Sequence, residues 1–168
     1  GLTTYRMYVT TPNDNDIISA VYGDDETPLS IATTTSFYQH PFGSSLGSNN
    51  NPLLYTGFPE LEFDSWLTMG LDGPAGDNEV APSTIGDLNN GWISNFEAGM
   101  NILIEDSIGG AMFLTNDSGT INIVSGAEQR ILIGQFTTDG VMSGVVNVQM
   151  FTAGVVDPAD RLALPFEG

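Results

Sequence analysis

Apolar and polar residues alternate along this chain in short runs, and turn-forming residues punctuate the runs. Nine segments carry the pattern: Leu2 to Thr10, Ile17 to Tyr22, Leu29 to Tyr38, Leu61 to Leu71, Ile102 to Glu105, Ala111 to Thr115, Ile121 to Val124, Ile131 to Thr138 and Val145 to Thr152. They are rich in β-branched and aromatic residues and bounded by Gly, Pro, Asn and Asp, which is the signature of strands. Only Pro52 to Phe58 and Ala159 to Leu164 read as helical turns, and no amphipathic helix longer than two turns is legible. The pattern predicts an all-β fold: a single antiparallel β-sandwich or jelly-roll-like domain of about nine strands, spanning residues 1–168. Neither an internal repeat nor a linker divides the chain.

The last two segments read as a hairpin whose register follows from the apolar positions. A two-residue Asp139-Gly140 turn would place Leu132 opposite Asn147 and mix apolar with polar residues. A three-residue loop ending at Val141 aligns Leu132 with Val148 and gathers Leu132, Phe136, Val146, Val148 and Met150 on one face. A one-residue slip turns every side chain over, so the pattern selects the longer loop, with Gly140 supplying the positive φ of a bulge. Other strand positions (Thr33, Thr35, Gln135, Asn147, Gln149) are polar but uncharged, which suits contact between subunits.

Composition changes this picture in two ways. Three arginines (Arg6, Arg130, Arg161), no lysine and 21 carboxylates give a formal net charge of −18, while charged residues make up only 14% of the chain. Such a surface neither neutralises phosphates nor adheres to anionic lipid, so neither nucleic acid nor membrane is expected as a partner. With no cysteine there is neither a disulfide nor a thiolate metal site. Self-repulsion among these charges is relieved by salt, since the Debye length falls to roughly 3 Å near 1 M, or by divalent cations. A saline or calcium-containing setting is therefore expected. The chain begins at Gly1 without a basic, apolar leader, which reads as the mature form of a secreted, extracellular protein. Asn116-Asp117-Ser118 is a glycosylation sequon in a eukaryotic secretory context.

Candidate chemistry is sparse. Gly43-Ser44-Ser45-Leu46-Gly47 fits the G-x-S-x-G pattern, but the only histidine, His40, lies upstream among Phe37, Tyr38 and Phe42, as a loop anchor would. Glu60, Glu62 and Asp64 alternate with Leu61 and Phe63, so a strand would carry all three carboxylates on one face near Trp66. A jelly-roll glycosidase mounts its acid and nucleophile in that way; a solvated strand face gives the same pattern. The acidic turns around the second strand offer Asp14, Asp16, Asp24, Asp25 and Glu26 as oxygen ligands for calcium, and Asp72, Asp77 and Glu79 form a second acidic loop. No other cofactor is expected. Trp66 and Trp92 suit either sugar stacking or a sandwich core.

Phe63-Asp64-Ser65-Trp66-Leu67-Thr68-Met69-Gly70, Glu105-Asp106-Ser107-Ile108-Gly109-Gly110-Ala111-Met112-Phe113 and Gln135-Phe136-Thr137-Thr138-Asp139-Gly140, continuing through Ser143-Gly144 to Asn147-Val148-Gln149, form a recognisable set. Together with Ala20-Val21-Tyr22-Gly23 and Pro28-Leu29-Ser30-Ile31, they are similar to acidic, lysine-poor β-domains of secreted proteins from marine bacteria and algae. The resemblance implies an extracellular or shell-forming role and carries over no catalytic residue. With the apolar chain ends, Gly1 to Thr10 and Asp157 to Gly168, suited to docking on a neighbour as added strands, the expectation is a non-enzymatic structural protein. It self-assembles, as a homo-oligomer or polymer, into an extracellular filament, sheath or shell. The alternative is a secreted calcium- or carbohydrate-binding module.

Overall fold

The computed structural model describes residues 1–115, 120–155 and 159–168. The strands are β1 (Thr3–Thr10), β2 (Ile17–Gly23), β3 (Leu29–Thr33), β4 (Trp66–Leu67), β5 (Ser83–Ile85), β6 (Ile102–Ile104), β7 (Gly110–Phe113), β8 (Arg130–Thr138), β9 (Met142–Phe151) and β10 (Asp160–Glu167). Two short helices, α1 (Asp87–Asn90) and α2 (Trp92–Glu97), join β5 to β6. A three-stranded sheet runs β1-β8-β4, and a seven-stranded sheet runs β5-β7-β2-β9-β3-β6 with β10 attached to β9. Every ladder is antiparallel, so the expected all-β sandwich is the observed fold.

Strand β9 organises the larger sheet. One of its edges is shared between β2, which pairs with Asn147 to Phe151, and β3, which pairs with Met142 to Val145. The other edge pairs along almost its whole length with β10. The core lies between the sheets: Ile131, Ile133 and Phe136 of β8 meet Val146, Val148 and Met150 of β9, all buried. Phe37, Phe96 and Phe136 close it, with ring centroids 5.5–5.9 Å apart, a spacing at which tilted aromatic pairs attract.

The structure departs from the sequence reading at particular elements. Strands β8 and β9 do not form a hairpin, because β8 pairs with β1 and β4 while β9 belongs to the other sheet. Inward-facing residues on two facing sheets produce the same apolar alignment as one face of a hairpin. The corner at Asp139–Val141 is held by Thr34, whose backbone N–H donates to the Val141 carbonyl (3.1 Å) and whose Oγ1 accepts from Val141 N (3.0 Å). Gly140 is absent from the left-handed positions; it is required for space, since a Cβ there would press on the Oγ1 atoms of Thr33, Thr34 and Thr35. Gly140→Ala is expected to cost about 2 kcal/mol by overpacking, measured as a lower urea midpoint at unchanged m-value.

Further corrections concern the ends of segments. Leu29 to Tyr38 keeps strand geometry only to Thr33, and Ile121 to Val124 contributes a single bridge from Val124 to Ile17. Ala159 to Leu164 is not a helical turn. Its Ala, Arg and Leu favour a helix locally, but pairing with β9 turns Leu162, Leu164 and Phe166 inward as a strand. The uncharged polar positions are mostly internal too. Asn147 (2% exposed) donates from Nδ2 to the carbonyls of Thr27 and Pro28, and Gln135 (3% exposed) donates from Nε2 to those of Glu62 and Asp64. These two tie loops to sheets, whereas Thr35 is exposed and Gln149 half-buried. The sequon Asn116-Asp117-Ser118 and Asp157 lie outside the described residues.

Candidate functional site

Glu60, Glu62 and Asp64 do not share a strand face. Pro59–Phe63 forms a 3-10 helix, favoured by Pro59 at its start, and a three-residue turn does not bring i and i+2 together. Glu60 and Glu62 point to solvent, whereas Asp64 is fully buried. The Asp64 carboxylate accepts from the backbone N–H groups of His40 (2.7 Å) and Ser44 (3.2 Å). Burial pushes its pKa up to about 6; these two bonds oppose the rise, and Glu97 adds to it. Gly43 lies so close that a Cβ would collide with the carboxylate. Asp64 therefore pins the 39–47 loop to the three-stranded sheet, and the two-carboxylate geometry of a glycosidase is not formed by these residues.

The neighbouring motif is also structural in its contacts. His40 Nδ1 accepts from Phe42 N (3.1 Å), and its ring packs against Phe42 and Phe58. Ser45 Oγ donates to the Glu97 carboxylate rather than to an imidazole. The segment after Gly47 is a three-residue 3-10 helix, not the long helix of a nucleophile elbow.

The five predicted calcium ligands fall at the two ends of β2. Asp14 and Asp16 precede that strand, while Asp24, Asp25 and Glu26 follow it, which separates Asp16 from Asp24 by roughly 25 Å at the rise of an extended strand. Asp16 is fully buried and accepts from Asn13 N (2.9 Å), Asn13 Nδ2 (3.0 Å) and Ala153 N (2.7 Å). Asp24 accepts from Glu26 N, Thr27 N and Thr27 Oγ1, closing its own turn. Asp14, Asp25 and Glu26 are exposed. Among the described residues no three acidic or histidine side chains gather closely enough to hold a metal ion.

Trp66 and Trp92 are core residues, 4% and 3% exposed. The aromatic rings in contact with the cations are others as well: Arg130 stacks on Tyr8 at 4.3 Å and Arg161 on Tyr22 at 5.7 Å, with Arg6 over Trp66 at 5.8 Å.

A different feature stands out as a site. Among the described residues, β1 pairs only with β8 and β10 only with β9, so each presents a free outer edge. Between the two edges runs a groove of about 460 Å³ lined by Tyr5, Met7 and Val9 of β1, Met142 and Val146 of β9, and Leu164 and Phe166 of β10. Both chain ends thus dock on their own sheets as edge strands, each keeping one side open. The apolar chain ends pointed to added strands, although Ala159 to Leu164 also read as a helical turn; that both are edges is visible only in the fold. Comparison of this chain with family models, with curated proteins and with solved structures finds no match.

Proposed function

We propose that this chain is a non-enzymatic structural protein that assembles with copies of itself into an extracellular filament, sheath or shell in a saline setting. The observation that carries the reading is the apolar groove flanked by the free edges of β1 and β10. An extended strand entering it gains main-chain hydrogen bonds from both edges and buries alternate side chains, which is recognition by strand addition. Natural sheets defend long edges with lysine, proline or bulges. Strand β10 carries Pro165 and the β1–β8 register shifts at Met7/Tyr8, but β1 offers eight residues of Thr, Tyr, Met and Val with Arg6 as its one charge and no proline. Its occupant is a second copy. The protein's charge of −18 keeps copies apart at low salt, and salt removes that barrier without altering the groove.

The expected result is a monomer at about 20 mM NaCl and large particles at about 1 M, read by light scattering and negative-stain microscopy. Tyr5→Glu, which sets a carboxylate in the groove mouth, should abolish the particles while leaving the melting temperature within about 3 °C of the parent. Monodisperse protein at every salt concentration would sink the reading, and particles unaffected by Tyr5→Glu would move the interface elsewhere.

A second reading, a secreted carbohydrate-binding module, is favoured by one other feature. On the seven-stranded sheet a depression of about 330 Å³ is floored by Ala20 and Ala111 and bordered by Tyr22, Phe113, Gln149 and Arg161. Aromatic rings beside amide and guanidinium donors suit a pyranose ring. If so, a soluble glucan slows the protein in affinity electrophoresis and Tyr22→Ala removes the retardation; an unchanged mobility for both proteins discards it.

A further inference from the structure

Strand β10 pairs with β9 along its whole length yet stays exposed or half-exposed throughout. None of its eight residues is buried, whereas β9 beneath it is buried at five of its ten positions. Its docking is nevertheless specific: Leu162, Leu164 and Phe166 face the core in register with Val148, Val146 and Gly144 of β9. The turn that sends the chain from β9 toward β10 is strained. Ala153 has φ +53°, a left-handed conformation that costs an L-residue with a Cβ, and Gly154 follows at φ +71°. Side chains just before β2 hold this conformation. Asp16 accepts from Ala153 N (2.7 Å) and Asn15 Nδ2 donates to Ala153 O (3.0 Å). Thr152 Oγ1 donates to Asp160 Oδ2 (2.6 Å), closing the base of the connection.

We propose that β10 exchanges between copies: the Ala153 turn opens, and the strand docks on β9 of a neighbouring molecule in the register it otherwise occupies on its own chain. Opening lets Ala153 relax to an extended conformation. The occupant of the vacated site is a second copy's β10, whose fit is the one already formed within each molecule. Reciprocal exchange closes a dimer, and donation from each copy to the next builds an open filament. This inference rests on the assembly reading and adds a second joint to it: a neighbour's β10, docked on β9, re-forms the wall of the same groove.

The absence of cysteine makes a direct test available. Gln149→Cys and Arg161→Cys, introduced together, place thiols on paired residues of β9 and β10. Oxidised particles should run as covalent ladders on a non-reducing gel if β10 is donated. Particles that form but resolve into internally linked single chains would overturn exchange and leave assembly standing. No particles, with single chains only, would overturn both.

Two further substitutions give the hinge an opposite-sign signature. Asn15→Ala, which removes one exposed tether of the turn, should raise the cross-linked fraction. Ala153→Gly, which relieves the left-handed strain, should lower the exchange constant roughly five-fold. Movement in the same direction for both, or in neither, assigns the joint elsewhere.

Discussion

Asp16→Ala should lower stability by about 3 kcal/mol. The side chain is fully buried and carries no ion pair, so its contribution is hydrogen bonding. Removing it takes the acceptor from the backbone N–H of half-buried Asn13 and from that of Ala153, which holds the turn after β9 onto the start of the β2 segment. Each such group costs about 1–3 kcal/mol. A loss of this size corresponds to a fall in melting temperature of roughly 9 °C for a chain of this length.

The pH dependence follows from the same contacts. Burial, the largest single influence, pushes the Asp16 pKa up, but the donors from Ala153 and Asn13 together outweigh it and hold the carboxyl below its ordinary value of 3.8. An acid with a depressed folded-state pKa contributes stability above its unfolded pKa and loses it as pH falls through the folded value. The penalty of Asp16→Ala should therefore be complete at neutral pH and shrink only below about pH 4. Urea titrations of parent and variant at pH 7 and pH 3 measure it; a loss under about 1 kcal/mol at pH 7 would refute the assignment.

Legibility in the sequence followed the range of the interactions involved. The β-branched and aromatic runs at Thr3–Thr10, Ile17–Gly23 and Met142–Phe151 report strands, and those elements emerged nearly as read, although their burial does not simply alternate. What such runs do not report is the partner. Phe136, Val146, Val148 and Met150 face the same core from two sheets, and nothing local distinguishes that from a hairpin; Leu132, beside an irregularity in the β1–β8 register, is buried on the other side of its sheet.

The alternating carboxylates at 60–64 failed for a local reason: Pro59 starts a 3-10 helix that a period-two reading overlooks. The acidic turns are close in sequence, but β2 is a rod between them, and Asp16 and Asp24 accept from N–H groups of their own turns. Edge status was the least legible property, because a strand becomes an edge through what does not pair with it. The groove between β1 and β10 consequently had no sequence signal beyond the apolar character of the two chain ends.

Asp64 should produce the opposite pH response. Its carboxyl is raised from 3.8 to about 6, chiefly by burial, with the His40 and Ser44 N–H groups holding the rise in check. The folded state then binds this proton more tightly than the unfolded chain, so the contribution grows as pH falls from above 6 toward 4. Between pH 8 and pH 5 the expected gain is roughly 1 kcal/mol, or about 3 °C in melting temperature.

Loss of surface charge also stabilises a chain of −18 on acidification, so the parent profile alone does not isolate the group. Asp64→Asn does. The amide keeps one acceptor for the His40 or Ser44 N–H and removes the buried charge, so the variant's melting temperature should rise less between pH 8 and pH 5, by about those 3 °C. Parallel profiles for parent and variant would show that Asp64 does not titrate in this range. Because Asp64 pins the 39–47 loop and not the β1 or β10 edge, the same variant should still form particles at high salt. Particle formation in Asp64→Asn alongside its loss in Tyr5→Glu would separate the residue that anchors a loop from the groove that joins subunits.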